Sequence, residues 1–234
     1  MPPPLWFGSA FLDNLDQLLR SLPHFWKNVG WSVYVALMST VLNLFFCSLA
    51  GFAFAMYDFK WREGLFAMVM ATMLLPSFVG MIPTALTMSW LEWMNQPRAL
   101  YVPGAVGALG IFMMRQYIES AIPRELIDAA RIDGCGEFAI YWRVVLPLIG
   151  PALGTLGLIT FIGSWNNFIG PLIVIRDMVM YTVPLALCSL QGTRLIPWGA
   201  ISAGSAIAVL PLLVLFMLAS RRLIEGLTAG AVKA

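Results

Sequence analysis

Apolar positions in this chain do not alternate or recur at a helical period; they come in long uninterrupted blocks. A membrane helix needs about 20 apolar residues to cross roughly 30 Å of hydrocarbon. Five blocks reach or approach that length: about Val29–Met56, Leu65–Trp90, Leu100–Tyr117, Pro147–Ile175 and Ala200–Ala219. The first has no charged side chain along its whole length. Transmembrane β-strands would show alternation over about ten residues, which is absent. The pattern therefore predicts an all-α, polytopic transmembrane helical bundle of five spans. Before the first block, Leu12–Lys27 carries Asp13, Asp16, Arg20 and Lys27 among apolar residues, and reads as an amphipathic helix lying at the membrane interface.

Charge orients the bundle. The loops after spans one and three, with the C-terminal tail from residue 221, hold Lys60, Arg62, Arg115, Arg124, Arg131, Arg143, Arg221, Arg222 and Lys233. The opposite side holds Arg20, Lys27, Arg98, Arg176 and Arg194. Nine basic residues against five put the first set in the cytoplasm, and residues 1–28 outside. An odd number of spans with an external N-terminus leaves residue 1 without a way across, so a preceding helix is expected to be missing.

Composition agrees: 60% of the 234 residues are hydrophobic and 11% charged, with a mean hydropathy of +0.82. A typical soluble domain is roughly 25% charged. The net charge of +2 gives no reason to expect nucleic acid. Cys47, Cys135 and Cys188 lie at three different depths and read as free packing residues. His24 stands alone, so no metal site is expected.

The loop of residues 118–146, between spans three and four, carries the densest local signals. Pro123 suits a first helical turn, with Glu125 and Asp128 facing the positive end of the helix dipole. Ala129 and Ala130 leave a face of small side chains, and Gly134 and Gly136 supply a turn where a positive φ is needed. Leu146-Pro147 opens the next span. A short exposed helix with one small apolar face is shaped to dock into a partner's groove.

These residues bear a resemblance. Ala129-Ala130, Asp133-Gly134 and Leu146-Pro147, at these separations, resemble the EAA loop of ATP-binding-cassette importer permeases; Asp128 stands where the family usually has Glu. Ser48–Ala55 with Phe59, Arg62 and Phe66, then Pro76, Ile82-Pro83 and Ile111–Gln116, are similar to other segments of that family. Trp165-Asn166-Asn167-Phe168 with Pro171-Leu172, and the terminal Gly226–Lys233, resemble its carbohydrate subclass. Members usually have six spans, so the likeness is to one lacking its first helix. The resemblance implies a permease with a cytoplasmic coupling helix, formed with Glu125, Asp128, Ala129, Ala130, Asp133, Gly134, Leu146 and Pro147. It also implies a second permease, two cytoplasmic ATPase subunits holding ATP and Mg, an external solute-binding protein, and residence among the lipids of a bacterial or archaeal cytoplasmic membrane.

Within the spans, Trp165, Asn166 and Asn167 combine a flat ring with amides, which suits sugar hydroxyls and ring faces. Interhelical hydrogen bonding explains the same residues equally well. Asn43 fits packing better than a path. Pro76 and Pro83 fit helix bending, and the exposed carbonyls of a bend can also line a path. Gly104, Gly107 and Gly110, and the Gly150–Gly154 pair, read as sites of close helix approach. No phosphate-binding glycine loop, nucleophile elbow or zinc motif occurs, so this chain is expected to bind no cofactor and to be no enzyme. A membrane enzyme would have to use Glu92, Glu119 or Asp177, whose loops fall on opposite sides, and a structural subunit would show no substrate-stimulated ATP turnover in its complex. Within the transporter class, a polyol or glycerol phosphate competes with a sugar as the cargo.

Overall fold

The computed structural model describes residues 10–192 and 196–231, the side chains of residues 77 and 218–231 excepted. Those residues form helices with no strand among them. The first, α1 (Ala10–Ser21), is the expected amphipathic helix, but it stops six residues earlier than the charge pattern indicated. Pro23 offers no N–H, and the chain turns at residues 22–24 before α2 (Phe25–Met56) begins. Residues 25–28, expected outside, are thus the first turn of the long helix. Asn28 is buried there and donates to the carbonyls of Met178 and Tyr181 at 2.8 and 3.0 Å, tying that end of α2 to a later loop.

α2 is the axis of the bundle. It packs on α6 (Ala108–Ala121), α10 (Gly150–Trp165) and α12 (Val183–Ser189), while α13 (Trp198–Ala231) packs on α10 and α1. The α2–α6 crossing is close because Gly51 faces α6 and Gly110 faces α2. A Cβ on Gly51 would lie 2.5 Å from Met114 Cβ, and one on Gly110 would lie 2.7 Å from Cys47 Sγ. Of the glycines expected at close approaches, Gly110 serves and Gly107 grazes Asn43, whereas Gly104, Gly150 and Gly154 face open space. Gly51 has no glycine at four-residue spacing to mark it in the sequence.

Among the described residues two helices are each long and apolar enough to cross a membrane, Phe25–Met56 and Trp198–Met217. The remaining blocks are broken. The second divides into α3 (Arg62–Ala71) and α4 (Met81–Trp90), whose axes, with their 3-10 turns, meet at 93°. Pro76 makes this break. It forces Leu75 into extended backbone, with ψ 123°. Pro83 makes none, because it falls in the first turn of α4, where a helix needs no N–H donor.

The third block is not one helix: α5 (Arg98–Tyr101) ends near Pro103-Gly104, and α6 starts after an extended Gly107. The fourth bends at Ile149 by 81° and stops again at Asn166, before α11 (Ile169–Val174). The last continues as helix through Ala231, past the expected start of a tail at residue 221. In the carbohydrate-type terminal motif, the side chains of residues 226–231 and all of residues 232–234 lie outside the described part. The three cysteines are free; Cys47 is buried in the α2–α6 interface.

Candidate coupling site and membrane path

The loop after α6 folds as helix, turn, helix. α7 (Arg124–Ile132) starts one residue after Pro123, which precedes the helix in extended backbone instead of occupying its first turn. Glu125 lies in that first turn. Ile127 is fully buried and keys α7 into the core formed by Phe52, Met114, Ile118 and Tyr141. On the opposite face Leu126, Ala129 and Ile132 are exposed, Ile132 to 87%. The expected pair of small residues is divided: Ala129 faces outward, while Ala130 packs on the core.

α7 ends in a glycine cap. Gly134 has φ +82°, its N–H donates to Arg131 O, and Cys135 N–H donates to Ala130 O, both at 3.0 Å. That is the Schellman pattern, which satisfies two carbonyls the helix would otherwise leave unpaired. Gly136 has an ordinary φ of −69°, so only one of the two glycines is needed for its backbone. Asp133 is the exposed residue before the cap, and Asp128 pairs with Arg131 at 3.1 Å.

The second arm comprises α8 (Glu137–Ile140), a π-helical turn at Tyr141–Val145, and α9 (Leu146–Leu148). Pro147 explains the π turn. A proline cannot donate and its ring clashes with the carbonyl four residues back, so the ladder widens by one residue upstream. Leu146 N–H accordingly reaches Tyr141 O. Leu146 packs on the core and Pro147 is exposed. The membrane-crossing direction begins at Gly150, three residues after the proline expected to start it.

An ionic lattice fixes this segment to the ends of the membrane helices. Arg124 donates to Asp58 at 3.1 Å, and Asp58 accepts from Arg62 at 2.8 Å. Arg131 donates to Glu137 at 2.9 Å and lies over the Tyr57 ring; the Tyr57 hydroxyl donates to Glu137. Arg115, nearly buried, pairs with Glu63 and Glu119 at 3.0 and 2.9 Å and stacks 4.0 Å from Phe66. Between α7 and the end of α2 a 330 Å³ cavity is lined by Tyr57, Asp58, Ile127 and Asp128.

Glu137 is held below the ordinary carboxylate range by Arg131 and then by Tyr57. Burial first, and the Glu137 carboxylate second, push Tyr57 up to about 12. Tyr57, Asp58 and Glu137 carried no sequence signal on their own. Arg124 and Arg131 were readable only as part of the charge bias that orients the bundle.

The expected path residues separate into two groups. Asn43 is buried: it donates to Gly104 O and accepts from Thr160 Oγ1, both at 3.2 Å. Trp165 is buried, stacked on Phe161, and donates to Ala208 O at 3.2 Å. Both are therefore committed to helix packing. Asn166, Asn167, Pro76 and Pro83 are exposed. Asn167 accepts from Gly170 N–H and lines a 520 Å³ cavity with Gly80, Met81, Thr84 and Gly104, where the broken helices face each other.

Glu119 belongs to the lattice near α7. Asp177 instead caps the Met178–Met180 turn, beside the opposite end of α2. Among the described residues no group of acids, histidines and cysteines is placed to hold a metal.

Residues 4–228 match the binding-protein-dependent transport system inner membrane component family. The chain belongs to that family. Its similarity to the arabinooligosaccharides transport system permease protein AraQ of Halalkalibacterium halodurans is 38% identity, over 95% of this chain and 79% of that one. The lactose transport system permease protein LacG of Rhizobium radiobacter is 32% identical over 97% of this chain and 82% of its own. In fold, the chain is similar to a bacterial ABC transporter involved in import of the acidic polysaccharide alginate. That match has a TM-score of 0.76 and 23% identity, and covers 91% of this chain and 78% of the other. The protein is a transport permease.

Proposed function

We propose that this permease forms half of the path by which an ATP-driven importer moves a sugar, an oligosaccharide in particular, across the cytoplasmic membrane of a bacterium or archaeon. The observation that carries the transport mechanism is the exposed Leu126–Ala129–Ile132 ridge on a helix locked at both ends. An apolar ridge with a small residue at its centre fits a groove in another protein. The lattice from Arg124 and Arg131 to Asp58, Tyr57 and Glu137 makes that ridge move as one body with the ends of α2 and α3. The oligosaccharide cargo is supported by relatives whose names specify arabinooligosaccharides and lactose.

The partners are two cytoplasmic ATPase subunits, which hold ATP and Mg, a second permease and an external solute-binding protein. Closure of the ATPases on ATP pulls the α7 ridge, and the rigid link carries the movement to the helices. The breaks at Pro76, Gly104 and Asn166 surround the cavity lined by Asn167, and sugar crosses between this surface and the second permease. Affinity capture of the tagged chain from its native membrane tests the assembly. Mass spectrometry should recover an ATPase with a phosphate-binding glycine loop and a second permease; recovery of the chain alone would refute it.

A further inference from the structure

Another cavity lies at the other end of α2 from the coupling segment. It measures 790 Å³ and is lined by Lys27, Trp31, Tyr34, Arg98 and Tyr101, with Gly30 leaving open space at its floor. Trp31, Tyr34 and Tyr101 form an edge-to-face ladder with ring centres 5.7 and 5.9 Å apart. The lining holds two cations and no carboxylate. Neither Lys27 nor Arg98 is in an ion pair among the described residues; Arg98 stacks 4.9 Å from Trp93, which leaves the guanidinium donors free at its edge.

The amides of the cavity are occupied. Asn95 Oδ1 accepts from Arg176 and Asp177 N–H at 3.0 Å, and Gln96 donates to Glu92 O at 2.9 Å. The unused chemistry is therefore cationic and aromatic, which suits an anion better than a neutral sugar. Below the cavity, Tyr34, Leu37 and Val41 recur on one face of α2 at three- and four-residue steps, exposed to 41%, 50% and 59%. That stripe runs into the apolar length of a helix able to cross a membrane. Aromatic side chains gather at the level of lipid headgroups at both faces of a membrane, and Lys and Arg give charge-assisted hydrogen bonds to a phosphate.

We infer that this cavity seats the phosphate of an anionic phospholipid, held by Lys27 and Arg98, with an acyl chain along Leu37 and Val41. The ring ladder flanks the glycerol. The site steadies α2 at the end opposite the coupling helix. It rests on α2 spanning the membrane and is independent of the proposed sugar cargo.

The test is native mass spectrometry of the purified permease complex in mild detergent, offered equal phosphatidylglycerol and phosphatidylcholine. Two basic side chains near a headgroup imply a preference of about 30-fold. The Lys27→Gln/Arg98→Gln variant should lose it, and Lys27→Arg/Arg98→Lys should keep it. Equal retention of the two lipids by the wild type overturns the inference without recourse to any variant. So does an unchanged preference in the glutamine variant, and so does full occupation by glycerol 3-phosphate with no lipid retained, which would make the site one for a soluble anion.

Discussion

The turn that ends α7, the proposed coupling helix, can be broken without touching its neighbours. Gly134 has φ +82°, and a Cβ placed there would meet nothing within 4 Å, so substitution acts through the backbone alone. The left-handed region costs an ordinary L-residue about 1–2 kcal/mol, less for Asn, whose side chain bonds locally. Valine, β-branched, falls at the upper end. About 2 kcal/mol multiplies the population of an opened turn roughly 30-fold, yet is small beside what inserts several apolar helices into lipid. Uptake and substrate-stimulated ATP hydrolysis by the reconstituted complex should therefore fall in the order Gly, Asn, Ala, Val, at equal membrane abundance. If the limiting factor were instead space between this turn and the ATPase, the smaller Ala would outperform Asn. Ala above Asn, or Val equal to Gly, would refute the backbone argument.

The α2–α6 crossing gives a matched pair in one helix. Gly51→Ala forces overpacking against Met114 worth about 1–3 kcal/mol, offset by about 1 kcal/mol of helix propensity. Gly30→Ala meets nothing and keeps only the gain, so thermal unfolding in detergent should rank Gly30→Ala above wild type and Gly51→Ala below it. Asn43→Ala should lower the melting temperature through loss of its bonds to Thr160 of α10 and to Gly104 before α6, worth about 0.6 kcal/mol each, and leave cargo selectivity unchanged; altered selectivity would return Asn43 to the path.

The Tyr57–Glu137–Arg131 brace has a defined pH window. Glu137 is depressed in the fold, so its contribution is complete above the ordinary 4.5 and lost as pH falls through its lower folded value. Tyr57 is raised, so its contribution is complete below 10.0 and lost as pH rises through about 12. Hydrogen exchange of residues 122–140, corrected for intrinsic rates, should show constant protection from pH 5 to 9; a transition near neutrality would contradict the brace.

The membrane class and the helix, turn and helix of residues 124–148 were legible because each is a local property: run length for one, proline and glycine spacing for the other. The breaks were less so. The apolar run continues without a charged residue through Leu75-Pro76 and through Pro103-Gly104, so the 93° bend at the first leaves no mark in it. Only the position of a proline within its helix distinguishes Pro76, which breaks, from Pro83, which does not. The Trp165-Asn166-Asn167 motif, read as a unit, is divided by the end of α10: the tryptophan turns inward while the amides face out. The lattice was invisible because its partners are far apart in sequence, 66 residues for Asp58 and Arg124 and 80 for Tyr57 and Glu137. The charges of α7 were readable as an orientation signal, not as half of a clamp.

Transport itself is the most direct test. The permease, its co-purified partners and the binding protein are to be reconstituted into liposomes and supplied with labelled arabinooligosaccharide, lactose and glycerol 3-phosphate. Sugar accumulation that requires ATP on the ATPase side, and vanishes with Gly134→Val, is the predicted result. ATP-independent entry, or accumulation of glycerol 3-phosphate alone, would contradict the account.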